Sequence, residues 1–141
     1  MKVFLDESVT GKARLHLEKM FRHDMFIASG REVKKGLSDL DVYAAARNEG
    51  ATVYICSDIK QLTSPDRTHE RAACRRAGLH WIGVPHSHAK GKRKSDTEVI
   101  RLLEGFGHVR AELESAATPT AVLLRRPDGG GDHIIDRIED L

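Results

Sequence analysis

The sequence predicts an α/β protein, a three-layer α/β/α sandwich around a mostly parallel sheet of about five strands. Three observations carry this. Short apolar runs alternate with helix-patterned segments along the chain. The strongest run, Thr52-Val53-Tyr54-Ile55-Cys56, lacks polar alternation, as expected of a central parallel strand covered on both faces. Acids close the first and third runs, where open parallel sheets form their binding crevices. A chain of 141 residues suits one domain, 1–141, with one core.

Val3-Phe4-Leu5 reads as the first strand, stopped by Asp6-Glu7. Ser8 and Thr10 are cap candidates for a helix patterned by Ala13, Leu17, Met20 and Phe21. Met25-Phe26-Ile27-Ala28 is a second strand, and Gly30 to Gly36 a polar, basic loop. Ser38-Asp39-Leu40-Asp41 has the spacing of a capping box with Asp in the Glu position, and its helix runs to Gly50. After the central strand, Ser64-Pro65 starts another helix reaching Gly78. Leu79 to Val84 is the fourth strand, closed by Pro85. Ser95 to Glu98 is a second capping box, opening a helix that Gly105 and Gly107 are expected to kink or divide. Thr120 to Leu124 is the fifth strand, Asp128-Gly129-Gly130-Gly131 a flexible turn, and Ile134, Ile135 and Ile138 mark an amphipathic tail.

Composition excludes several classes. With 40% hydrophobic and 31% charged residues, the chain is neither disordered nor membrane-spanning in character. The net charge of +2 conceals 23 Lys+Arg, so any nucleic-acid contact must come from local clusters. Cys56 and Cys74 lack the spacing of a zinc site or disulfide framework. The amino-terminal segment runs into an acid pair rather than a signal-peptide core, so the expected location is cytoplasmic, with no membrane association.

Asp6, Glu7 and Asp58 fall at the carboxyl ends of strands, and Asp39 and Asp41 sit in a helix's first turn. Carboxylates meeting in one place repel unless a cation neutralises them, and hard oxygen donors suit Mg²⁺ or Mn²⁺. Each acid also has a structural reading. Asp6 can cap a helix, Asp39 can answer the helix dipole, and Asp41 is the capping partner of Ser38.

Phe4-Leu5-Asp6-Glu7, Gly36-Leu37-Ser38-Asp39 entering a helix, and the stretch from Gly50 to Leu62 together resemble the PIN-like domains, especially small stand-alone members similar to VapC-type toxins. The resemblance covers residues 1–85 best; residues 86–141 match only as a basic loop, helix, last strand and tail. It implies a Mg²⁺- or Mn²⁺-dependent endoribonuclease, with catalytic and metal-binding roles on Asp6, Asp39 and Asp58. Asp66, Thr68 and Glu70 are the candidates for a further site residue. A neutralising antitoxin protein and a homodimer are the partners the resemblance implies.

Two basic groups are candidates for RNA contact. Lys90, Lys92, Arg93 and Lys94 form a run after the fourth strand, and Arg67, Arg71 and Arg75 lie four apart on one helix face. Aromatic residues make up 5% of the chain, too few for base stacking to dominate. His86 and His88 lack a third metal ligand nearby in sequence and read as a surface loop. Two other functions fit parts of the pattern. One is a PIN-like module that binds RNA or protein without cleaving. The other is a receiver-like signalling domain, which would need a hydroxyl residue ending the fourth strand and a lysine ending the fifth. The chain has Val84-Pro85-His86 and Leu124-Arg125-Arg126 there.

Overall fold

The computed structural model describes residues 1–127 and 133–141. In chain order the elements are β1 (Lys2–Leu5), α1 (Ala13–Met20), β2 (Met25–Ala28), α2 (Asp39–Asn48), β3 (Val53–Cys56), α3 (Lys60–Thr63), a 3₁₀ turn (Pro65–Arg67), α4 (Thr68–Arg76), β4 (His80–Gly83), α5 (Lys92–Ser115), β5 (Thr120–Leu124) and β6 (Ile135–Asp140). They build one six-stranded sheet in the order β2-β1-β3-β4-β5-β6. The first five strands are parallel and β6 runs antiparallel on the edge. The chain order reverses between β1 and β3, so the crevice of this doubly wound sheet opens beyond their carboxyl ends.

Strand alternation divides the core between the sheet's two faces. Val3, Leu5, Val53, Ile55, Ile82 and Val122 pack with Ala13 and Leu17 of α1 and with Leu102, Phe106 and Val109 of α5. Phe4, Tyr54, Cys56 and Trp81 pack with Val42, Tyr43 and Ala46 of α2 and with Cys74 of α4. Every residue of β3 is buried, which is why its sequence shows no polar alternation. Cys56 and Cys74 are both free and buried.

Several local expectations are corrected. The sheet has six strands and not about five, because the amphipathic tail with Ile135 and Ile138 forms β6. Arg71 holds this edge strand through Glu139 at 2.7 Å and the Asp140 carbonyl at 2.7 Å, and Arg75 reaches the Leu141 carbonyl at 3.0 Å. Neither Ser8 nor Thr10 caps α1, which starts after Lys12 with no side-chain cap. Ser95 does not cap α5 either. That helix starts three residues earlier, after Gly91 at φ 64°, so Ser95 lies inside it and donates to the Lys92 carbonyl at 3.2 Å. The segment from Ser64 to Gly78 is not one helix, since the 3₁₀ turn precedes α4, and the short α3 has no counterpart in the sequence pattern. Gly105 and Gly107 do not divide α5. Gly105 is a packing residue, because a Cβ there would collide with Leu124. The turn expected at 128–131 lies outside the described residues.

Candidate functional site

Asp6, Asp39 and Asp58 line one cavity of about 270 Å³ at the crevice, together with Glu7, Lys34 and Gln61. Local structure explains each position. Asp6 follows β1 and donates its backbone N–H to the Ile55 carbonyl at 2.9 Å, extending the parallel ladder by one bond. Asp39 is the first residue of α2, whose cap, Ser38, accepts the Asp41 N–H at 3.2 Å and donates to the Asp41 carboxylate at 2.9 Å. Asp41 is thus the capping partner. Asp58 lies just beyond β3, in the turn before α3.

The carboxylates are supported differently. Asp6 is held on both oxygens, by the Tyr54 hydroxyl at 2.7 Å and by the Ser8 hydroxyl at 2.6 Å and N–H at 3.1 Å. Ser8 in turn accepts the Ser57 N–H at 3.0 Å, joining the ends of β1 and β3. Asp39 accepts a 3.3 Å hydrogen bond from the Gln61 amide, whose oxygen accepts the buried Tyr43 hydroxyl at 2.5 Å. Glu7 accepts weakly from the Gly36 N–H at 3.4 Å.

Arg67 organises the rest of the cluster. Its guanidinium donates to Asp58 at 2.7 Å, Asp39 at 3.0 Å and Glu70 at 2.8 Å, one nitrogen to each carboxylate. Charge-assisted bonds of this kind are strong, and they raise the already high Arg67 pKa further, burial opposing. Burial pushes the Asp39 carboxyl up, the hydrogen bond and charge of the neighbouring Glu70 push it further, and Arg67 opposes both. Of the three candidates for a further site residue, only Glu70 is buried and joined to the cluster. Asp66 and Thr68 are exposed.

The basic residues separate. Arg67 turns inward onto the acids, and Arg71 and Arg75 tie down the C-terminal strand. Lys94 borders a second groove of about 460 Å³ that also contains Asp58, Lys60, His86, His88 and Arg126. Lys90, Lys92 and Arg93 are not among that groove's lining residues.

The sequence pattern does not single out Tyr54, Tyr43, Gln61 or Ser8 as site residues, and it offers Arg67 for RNA contact where the structure turns it onto the acids. Tyr54 carried a usable signal, because a hydroxyl in a central strand needs a buried partner. Among the described residues, no three His, Cys, Asp or Glu side chains stand as a ready metal-holding group. No helix among the described residues is long and apolar enough to cross a membrane. Comparisons with protein-family models, curated proteins and solved structures find no match.

Proposed function

We propose that the protein is a metal-dependent endoribonuclease that hydrolyses RNA phosphodiesters where Asp6, Asp39 and Asp58 meet. The observation that carries this reading is the convergence of three carboxylates, from β1, α2 and β3, on one polar cavity at the sheet's switch point. The donor chemistry fits Mg²⁺ or Mn²⁺, since carboxylate oxygens are the ligands these hard cations select. Arg67 is bonded to Asp39 and Asp58 in this arrangement, so a cation shared by all three acids requires the guanidinium to release them.

Asp6, Asp39 and Asp58 would hold the cation, whose chemistry would be to lower the pKa of bound water and to offset charge building on the phosphoryl oxygens. The chain supplies position. Tyr54 and Ser8 fix the Asp6 carboxylate, while Tyr43, through Gln61, orients Asp39. Hydrolysis then adds water across one P–O bond, leaving a phosphate on one fragment and a hydroxyl on the other. By the same reading the protein is cytoplasmic, pairs with a neutralising antitoxin protein and forms a homodimer.

The test is cleavage of a mixed RNA with Mg²⁺ or Mn²⁺ and with chelator, comparing wild type, Asp6→Asn and Asp58→Asn. Metal-dependent cleavage that falls in both variants by more than the roughly 10–100-fold typical of outer-shell partners is the expected outcome. Absence of cleavage by the folded wild type with either metal would falsify the enzyme reading. The non-catalytic binding module is then favoured, and one observation already supports it: Arg67 occupies Asp39 and Asp58 with an internal ion pair each.

A further inference from the structure

The second groove lies between the carboxyl ends of β3 and β4 and adjoins the acid cavity at Asp58, which lines both. Its cations come from separate elements: Lys60 from α3, Lys94 from the first turn of α5, and Arg126 from beyond β5. Among the described residues Lys60 and Lys94 have no carboxylate partner, and Asp58, the groove's acid, is turned to Arg67. Like charges gathered this way repel one another, and a bound polyanion relieves the repulsion.

The groove wall is also built rather than incidental. Glu98 of α5, 5% exposed, accepts the Ser87 N–H at 3.0 Å and pairs with His86 Nδ1 at 3.0 Å. Ser87 is itself buried and its hydroxyl accepts the Ala89 N–H at 3.0 Å. A buried carboxylate is costly unless hydrogen-bonded. Here it holds the loop carrying His86 and His88 along the cationic wall.

We propose that this groove binds the phosphodiester backbone of the RNA strand next to the phosphate that is cleaved. The inference rests on reading the acid cavity as the hydrolytic site. A strand whose reacting phosphate lies among the acids passes over Asp58 directly into the groove. Among the described residues no Phe, Tyr or Trp lines it, so recognition is by phosphate charge and not by base stacking.

The test is fluorescence anisotropy with a labelled mixed-sequence RNA oligonucleotide in chelator, so that no cleavage occurs. The proteins are wild type, Lys60→Gln, Lys94→Gln, the triple variant including Arg126→Gln, and Lys19→Gln as a control on α1. Each groove substitution is expected to weaken binding several-fold and to flatten the slope of log affinity against log salt by about 0.7 for each phosphate left without its cation. The triple variant is expected to lose measurable binding and the control to bind as wild type, all retaining native circular dichroism. Wild-type affinity in the triple variant, an equal loss in the control, or no binding by wild type overturns the proposal. Tighter binding of single-stranded DNA of the same sequence overturns RNA as the occupant. Cleavage assays run alongside separate the two readings. Cleavage by wild type with unchanged binding in the triple variant sinks the groove alone, whereas groove-dependent binding with no cleavage sinks the hydrolase alone.

Discussion

Two ionic clusters occupy opposite ends of the sheet and are built in opposite senses. At the amino ends, Asp24 meets two cations, one of which, Arg110, also reaches Glu114 at 3.2 Å. Asp24, its side chain 1% exposed, accepts from the amino terminus of Met1 at 2.7 Å and from Arg110 at 2.6 and 2.9 Å. At the carboxyl ends, one cation meets three acids, with Arg67 bonded to Asp39, Asp58 and Glu70 and Asp6 lining the same cavity as two of them. The titration behaviour follows. Burial pushes the Asp24 carboxyl up, but hydrogen bonds from Arg110 and the amino terminus outweigh it and hold it below the usual range. Burial and Glu70 push Asp39 above its usual range despite Arg67. The first cluster is a lock with its charges matched. The second keeps more acids than cations at the carboxyl ends of the strands.

The largest expected effect tests the lock. Asp24→Asn leaves the buried amino terminus beside a neutral amide, and the loss of that group's buried partner costs roughly 3 kcal/mol. Urea unfolding measures it; a change under half a kilocalorie would show that the cluster is decorative.

Arg67→Gln sharpens the contrast. Without divalent cations it leaves Asp39, Asp58 and Glu70 facing one another, a loss of roughly 1–3 kcal/mol at neutral pH. Added Mg²⁺ is expected to raise its melting temperature more than that of wild type, because binding to the native state stabilises by mass action and no guanidinium competes. Equal or absent shifts in both proteins would remove the acid cavity from consideration as a cation site.

The pH dependence divides the same way. A carboxyl depressed by folding contributes stability that is present above its unfolded value and lost as pH falls through its folded value. Asp24 therefore adds to acid sensitivity below the ordinary carboxylate range, and Asp24→Asn should flatten that limb. Asp39 has the opposite sign. Its ionisation opposes folding as pH rises through and above the ordinary range, so Asp39→Asn should lessen the loss of stability on that side. Denaturant midpoints measured from pH 3 to pH 7 distinguish the two; parallel curves for both variants would break the comparison.

The smallest effect serves as the calibrant. Glu32 is bonded to Arg14 at 2.7 and 3.0 Å and accepts the Ala28 N–H at 2.9 Å. Burial alone would raise its carboxyl, yet these bonds bring it to about 2. Glu32→Gln is expected to cost about 1 kcal/mol, as befits a partly exposed pair with one backbone contact. A loss matching that of Asp24→Asn would show that burial does not set the difference between the clusters.

Much of this architecture is written locally. Unbroken apolarity at Val53 to Cys56 marks a strand covered on both faces, and Ser38 three residues before Asp41 marks a helix start. The ends of those elements place Asp58 and Asp39, and the end of β1 places Asp6, so the meeting of the acids follows from a doubly wound sheet. Local rules failed where distant contacts decide. Ser95-x-x-Glu98 has a capping pattern, but Glu98 is drawn to the 86–87 loop and α5 begins earlier, with Lys92, Arg93 and Lys94 against the helix dipole. Packing of Leu102, Phe106, Val109 and Leu113 outweighs that local cost.

The sequence by itself determined the first five strands and the helices that alternate with them, the covered central strand and the acids at the strand ends, because periodicity and caps act over a few residues. Only the tertiary structure decided the partners. The 3₁₀ turn at Pro65–Arg67 interrupts the helical spacing that put Arg67 on a stripe with Arg71 and Arg75, and so turns it onto acids 9 and 28 residues away in the chain. The amphipathic tail likewise became β6 because β5 offered an open edge and Arg71 and Arg75 hold its end. Charge pairing over such separations depends on where the backbone brings each group, and no spacing rule carries that information.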